Sequence, residues 1–352
     1  MSRLRMVSVV SPGIARVRAG RSFWYVRPDG SKVDDEDTLR RIRGLAIPPA
    51  WTDVWICRDP LGHLQAAGTD AAGRRQYRYH DRWRERRDVE KFDRMLEFAH
   101  RLPEMRARVA SDLRRPDLPR EKALATAVRL LDLGSFRVGS ESYARQNGSY
   151  GVATIQRRHV RVSGDSLVFD YRAKSGNRRR LTLVDPDLAP IVRRLKRRRH
   201  DHPELLAYRN GIGWRDVRSL DVNAYMKELG GNGFSAKDFR TWHGTVLAAV
   251  SLALGGPVPQ GVTARRRAIT AAVKDVAEFL GNTPAVARAS YIDPRLFDRF
   301  DEGRTVRGSL ERAAPDLEAA SAGEAFGPAV RERVEAAVLE LLEDREPSAV
   351  AA

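Results

Sequence analysis

The chain has 352 residues, enough for a large domain or two smaller ones with a sizeable buried core, with 63 Lys and Arg against 46 Asp and Glu and a net charge of +17. Such a surplus, mostly Arg, attracts a polyanion, and nucleic acid fits best because each neutralised phosphate releases counterions. A single cysteine, Cys57, excludes a disulfide framework and a Cys-based zinc site and fits a reducing cytoplasm. Residues 1–21 scatter Arg3, Arg5, Arg16, Arg18 and Arg21 among short apolar stretches, so no export signal is expected. The longest apolar run, Val246 to Leu254, is far too short to span a membrane.

From Phe23 to His80, short β-like runs (Phe23–Val26, Val54–Ile56) alternate with Pro and Gly punctuation, which predicts a small antiparallel β-rich domain over residues 1–88. Within it, Gly73 to His80 interleaves aromatics with bases. Strand alternation puts Gln76, Arg78 and His80 on one face and Tyr77 and Tyr79 on the other, and both faces suit DNA. After about Arg87 the period becomes helical, with Phe92, Met95, Phe98 or Ala99, and Leu102 in step.

Residues 89–352 read as a larger, mainly helical domain. Helices are expected over Glu121–Leu133 and Asp221–Leu229, each stopped by glycine. A three-stranded β insert covers Val160–Val162, Ser166–Tyr171 and Arg179–Val184, with a hairpin tip at Lys174. Ser235 with Asp238 starts a helix whose apolar stripe is Phe239, His243, Val246, Val250 and Leu254. A further helix runs from Thr263 to Leu280, and Thr283-Pro284 opens the one that carries Tyr291. Beyond Glu302 a Gly- and Ala-rich connector leads to a last amphipathic helix with Val330, Val334, Val338 and Leu341 on one face, expected to be dispensable for the chemistry.

Lys237, Arg240 and His243 stand three apart on one helix, and a bound phosphate would relieve the repulsion between the two cations. His243 also falls on the apolar stripe and reads as packing. The run Arg193–Arg199 reads as a solvated helix face that adds non-specific phosphate attraction.

In order and spacing, Phe136-Arg137-Val138-Gly139, Lys174-Ser175-Gly176, Lys237-Asp238-Phe239-Arg240-Thr241 and Ser290-Tyr291 resemble the type IB DNA topoisomerases, in their small bacterial and poxvirus-like branch. Ile47-Pro48-Pro49-Ala50-Trp51 and Gly73 to Tyr79 resemble that family's N-terminal clamp domain, so the likeness spans roughly residues 20 to 300.

The resemblance implies an α+β fold in which a small N-terminal antiparallel β-rich domain precedes a mainly helical catalytic domain with a three-stranded β insert. It implies catalytic roles for Arg137, Lys174, Arg240, Asn282 and Tyr291, and DNA contacts for Gln76, Tyr77, Tyr79, Tyr143 and Lys237. Asn282 departs from the family, since many members carry His there, and an amide donates a hydrogen bond but carries no proton or charge. Ser140 and Ser142 stand where some relatives have Lys.

The implied partner is duplex DNA, gripped by a monomeric clamp in the cytoplasm at the nucleoid. No metal or nucleotide cofactor is required, a divalent cation acting at most as a stimulant, and no phosphate loop for ATP occurs in the sequence. The nearest alternative is a tyrosine recombinase, which shares the Arg, Lys, Arg and Tyr chemistry but places His where this chain has Lys237. A non-enzymatic basic DNA binder is the other, and it would have no need of Tyr291.

Overall fold

The computed structural model describes residues 3–199, 201–231, 233–313 and 328–344. Two compact units divide the chain, residues 1–93 and 94–352.

The first unit is built on an antiparallel sheet. Strands β1 (Ile14–Ala19) and β2 (Ser22–Val26) form a hairpin, its turn made by Gly20 at φ +59°, a left-handed conformation that a side chain would strain. Helix α1 (Glu36–Gly44) is capped by Asp35, whose carboxylate accepts from the Thr38 amide at 2.8 Å. Then come β3 (Thr52–Ile56), β4 (Leu64–Thr69) and β5 (Arg75–Tyr79), and the strand order is β2-β1-β3-β4-β5. Ile14, Val33, Ile42, Val54, Ile56 and Ala66 make the core. The sequence reading did not anticipate α1. Its segment is mostly charged and buries only Ile42, so few apolar residues mark it.

Helix α2 (Asp81–Leu113) begins before the change of period at Arg87, and the division between the units falls within it. Phe92, Met95, Phe98, Ala99 and Leu102 are buried along one face, as their spacing requires.

In the second unit, α3 (Arg120–Gly134) is buried on nearly every side and ends at Ser135, a non-glycine residue with φ +46°. Helix α4 (Glu141–Asn147) follows, and then the insert β6 (Val160–Ser163), β7 (Ser166–Arg172) and β8 (Arg178–Val184), paired in that order as expected. Helix α5 (Leu188–Arg197) comes next. Strands β9 (Ala207–Arg209) and β10 (Trp214–Asp216) then form a second small sheet that three-residue signals had not revealed. Helices α6 (Ser219–Gly230), α7 (Ala236–Leu254), α8 (Val262–Leu280), α9 (Pro284–Tyr291), α10 (Arg295–Asp301), α11 (Arg307–Ala313) and α12 (Pro328–Leu342) complete the fold. The connector expected before α12 lies outside the described residues.

Helix α7 is the hub, packed against α3, α8, α9, α10, α11 and α12. Its burial is therefore not the single stripe expected. Residues 238–245 are buried all round, including Trp242 and Phe239, whereas Leu254 at the far end is exposed. Each large apolar side chain buried there contributes about 1.5–3 kcal/mol. Among the described residues no helix is long and apolar enough to cross a membrane.

Candidate active site

Ser235 caps α7 in a capping box with Asp238, its hydroxyl accepting from the Lys237 amide while the Asp238 carboxylate accepts from the Ser235 amide at 2.7 Å. This fixes the first turn and, one turn on, Arg240. Arg240 is only 2% exposed. Its guanidinium donates through Nη1 to the Ser135 carbonyl at 2.6 Å and through Nη2 to the Leu280 carbonyl at 2.9 Å. Burial, and then the charge of Arg137, pulls its pKa down to about 10, so it remains a cation at neutral pH.

Arg137 sits just past the end of α3, in an extended segment held by two backbone bonds: the Val152 amide donates to the Arg137 carbonyl and the Ala153 amide to that of Val138, both at 2.8 Å. Gly139 and Gly151 let these two segments touch, since a Cβ on Gly151 would lie 2.5 Å from the Arg137 carbonyl oxygen.

Asn282 and Tyr291 follow from the ends of α8 and α9. Gly281, at φ +62°, closes α8 with the Asn282 amide donating back to the Ala277 carbonyl at 2.9 Å, a Schellman-type stop that aims Asn282 at Arg137. Asn282 Oδ1 accepts from Arg137 Nη2 at 2.6 Å. Its Nδ2 is buried without a hydrogen-bond partner, a donor left over for a ligand oxygen. Thr283 then caps α9, its hydroxyl accepting from the Val286 amide, Pro284 occupies the first turn as the sequence implied, and Tyr291 is the last residue of the helix.

The phenol ring of Tyr291 faces Arg240, whose guanidinium carbon is 5.0 Å from the ring centroid. Burial alone would raise the Tyr291 pKa. Arg240, followed by Arg137 and Lys174, outweighs burial and sets it below the ordinary phenol value. Lys174 lies in an exposed 3-10 turn, Lys174–Gly176, between β7 and β8, so the hairpin tip is where the sequence put it. The structure thus pairs Arg137 with Asn282 and Arg240 with Tyr291 by direct contact, and places Arg137 and Lys174 close enough for their charges to act on the phenol.

The residues assigned to DNA contact are placed as follows. Tyr77 and Tyr79 are exposed on the same face of β5, their ring centroids 6.1 Å apart, and Gln76 points the other way and donates to Asp70 at 2.9 Å. Tyr77, Arg78, Tyr79, Arg41 and Arg84 line a groove of about 500 Å³ within the first unit. In the second unit, Tyr143 on α4 and Lys237 on α7 are exposed, and Ser140 and Ser142 bond to each other at 2.8 Å.

Two features were missed in the sequence. Arg179 donates to the Gly134 carbonyl at 2.7 Å and to the Ser135 carbonyl at 3.3 Å, beside Arg240. The signal was alternation, because the middle Arg of Arg178-Arg179-Arg180 shares a strand face with Leu181 and Leu183. Gly244 is the other. A Cβ there would sit 2.5 Å from the Tyr291 carbonyl oxygen, so only glycine lets α9 end so close to α7. The basic run also needs a correction: Arg198 is buried, donating to the Leu195 and Leu205 carbonyls, and its role is to tie a loop rather than to meet solvent.

A buried and a half-buried guanidinium group, an orphaned amide donor, a lysine and an acidified phenol suit nucleophilic attack on a phosphate diester. Comparisons with known proteins give the family. A family model described as "Eukaryotic DNA topoisomerase I, catalytic core" matches residues 80–302, and one described as "Bacterial DNA topoisomerase IB, N-terminal domain" matches residues 22–70. The chain is 30% identical to a DNA topoisomerase 1B of Acanthamoeba polyphaga mimivirus over 285 residues, covering 80% of this chain and 85% of that protein. It is 20% identical to the DNA topoisomerase I of Monkeypox virus and to the DNA topoisomerase 1B of Vaccinia virus (strain Western Reserve), over 75% of this chain and 82% of each of theirs. With the first model alone matching well over half of its length, the chain belongs to the type IB DNA topoisomerases.

Proposed function

We propose that the protein relaxes supercoiled duplex DNA by cutting one strand through a 3′-phosphotyrosine at Tyr291, letting the free 5′ end rotate, and resealing the strand without ATP or a required metal. The observation that carries this is the Tyr291 phenol held against Arg240, with its pKa drawn down by three cations. A phenol is a weak nucleophile near neutral pH, and cations that favour the phenolate make it competent.

In the cleavage step the Tyr291 oxygen forms a bond to phosphorus and its proton passes to solvent. The bond from phosphorus to the 5′ oxygen breaks, and that oxygen takes a proton from Lys174, so it leaves as a hydroxyl rather than an alkoxide. Arg137 and Arg240 hold the non-bridging oxygens as charge builds on them, and the spare Nδ2 donor of Asn282 adds a third contact. Religation is the reverse, with the 5′ hydroxyl as nucleophile and the phenolate as leaving group. The phosphodiester energy stays in the covalent link, which removes any need for a nucleotide. Exposed Tyr77, Tyr79, Tyr143 and Lys237 serve as DNA contacts in this reading, with Gln76 beside them on β5. We further assign it to the nucleoid of the cytoplasm, where a monomer closes around the duplex.

The test is plasmid relaxation in EDTA without ATP, at stated salt, with detergent trapping of covalent adducts. Wild type is expected to yield relaxed topoisomers and a 3′-linked adduct, while Tyr291→Phe binds DNA and forms none. If wild type neither relaxes nor links to DNA, passive binding is the better account.

A further inference from the structure

Helix α12 lies well beyond Tyr291 in the sequence, yet its polar side chains connect to the arginine clamp through a buried network. Arg331 Nη2 donates to the Asp132 carboxylate at 2.6 Å and to the Asp132 carbonyl at 3.0 Å, and the same nitrogen is 2.8 Å from His243 Nε2. Arg106 closes the other side, bonding Asp132 at 2.9 and 3.0 Å and Glu335 at 2.6 and 2.9 Å. Glu335 also accepts from Arg331 Nε at 3.1 Å, so two carboxylates and two guanidinium groups balance.

The consequence runs through the imidazole. His243 Nε2 lies 2.8 Å from Arg331 Nη2 and 3.3 Å from Asp132 Oδ1, so the Arg331–Asp132 pair holds that edge of the ring. Burial holds the ring neutral, its pKa below the ordinary histidine value. On the opposite edge, Nδ1 is hydrogen-bonded to Ser135 Oγ at 2.9 Å. Ser135 carries the strained φ of +46°, its carbonyl accepts from both Arg240 and Arg179, and Arg137 lies two residues further on.

We propose that Arg331 is a positioning residue: with Asp132 it holds the His243 ring in place, the ring clamps the Ser135 peptide, and that peptide sets the geometry of Arg240 and Arg137. The proposal rests on the phosphotyrosine reading above. It runs against the expectation that the stretch after Glu302 is dispensable for the chemistry. Preorganised donors lose their effect when their supporting contacts loosen, even if no donor is deleted.

The experiment compares wild type, Arg331→Met, Arg331→Lys and Ser135→Ala in single-turnover cleavage of a duplex that sheds its 5′ fragment, at saturating protein and well below the unfolding temperature. DNA affinity and thermal midpoint are measured alongside. Arg331→Met is expected to slow cleavage about tenfold with affinity within about twofold of wild type, because the loss falls on the transition state rather than on binding. Arg331→Lys should recover part of the rate, and Ser135→Ala, which removes only the hydroxyl link, should slow cleavage about threefold. A folded Arg331→Met protein that cleaves at the wild-type rate overturns the proposal. Where Arg331→Met fails to fold, Ser135→Ala decides: a wild-type rate overturns it and a slowed rate supports it. Failure of wild type to form any adduct is a different result, since it removes the phosphotyrosine reading and this proposal with it.

Discussion

In the proposed reaction, Arg240 and Lys174 act from opposite structural settings. Arg240 is 2% exposed on a helix buried all round, with two backbone carbonyls fixing its fork. Lys174 is exposed in a three-residue turn between two strands, where the Gly176 amide bonds back to the Ala173 carbonyl and the Ala173 amide to that of Asn177. The difference follows from what each must do. Charge stabilisation works best with donors fixed before the reaction in a poorly solvated site, and that demands burial. A proton donor must meet the leaving oxygen of a bound duplex, and a turn at the protein surface can do so.

Substitution should separate the two most clearly at Arg240. Arg240→Ala is expected to lower single-turnover cleavage about a thousandfold, the upper range for losing one preorganised donor. It leaves the Leu280 carbonyl without its side-chain donor and the Ser135 carbonyl with only the longer bond from Arg179, so thermal stability falls by about 1–3 kcal/mol as well. The pH profile adds a sign. Arg240 is the first of the cations that draw the phenol's pKa down, so its removal raises that pKa and moves the alkaline rise of the cleavage rate to higher pH. A profile that does not move would show that Arg240 acts on the phosphate alone.

Lys174→Ala should cost about a hundredfold in cleavage, within the usual range for general acid catalysis, and leave stability within about 0.5 kcal/mol because the side chain is exposed. A duplex whose bridging 5′ oxygen is replaced by sulfur has a leaving group that needs no proton. On that substrate Lys174→Ala should approach the wild-type rate, while Arg240→Ala should stay slow. If sulfur rescues neither variant, Lys174 is not the acid.

The legible parts of the sequence were those whose signal is local. The Ser235 and Asp238 capping box, the Gly281 stop, the Thr283-Pro284 start and the β6-β7-β8 insert were all readable within a few residues, and so were the positions of Arg240, Asn282, Tyr291 and Lys174 along their elements. What stayed hidden depends on partners distant in sequence. Charged α1 buries one residue, and β9 and β10 are too short for alternation to register. His243 read as packing because periodicity reports burial and is blind to a partner such as Arg331. The ring is buried as expected, but it is also bonded at both nitrogens.

Gly244 carries that lesson to its smallest effect. Periodicity treats a glycine in the middle of a helix as a weak helix former, with nothing to mark it as a spacer. A methyl group there would stand 2.5 Å from the Tyr291 carbonyl oxygen and 3.2 Å from its Cβ. Gly244→Ala is therefore expected to push the end of α9 outward, costing about 1–3 kcal/mol by overpacking. Displacing the nucleophile should slow cleavage about tenfold at unchanged DNA affinity, a modest cost for a reacting atom moved by a fraction of an ångström. Gly164→Ala is the control. It lies in the β6–β7 turn at φ +52° with open space around it, so alanine there strains the backbone by about 1–2 kcal/mol and touches no catalytic group. Comparable destabilisation with slowed cleavage only for Gly244→Ala would tie the rate to the position of Tyr291; equal rates in both would mean that α7 yields without moving the nucleophile.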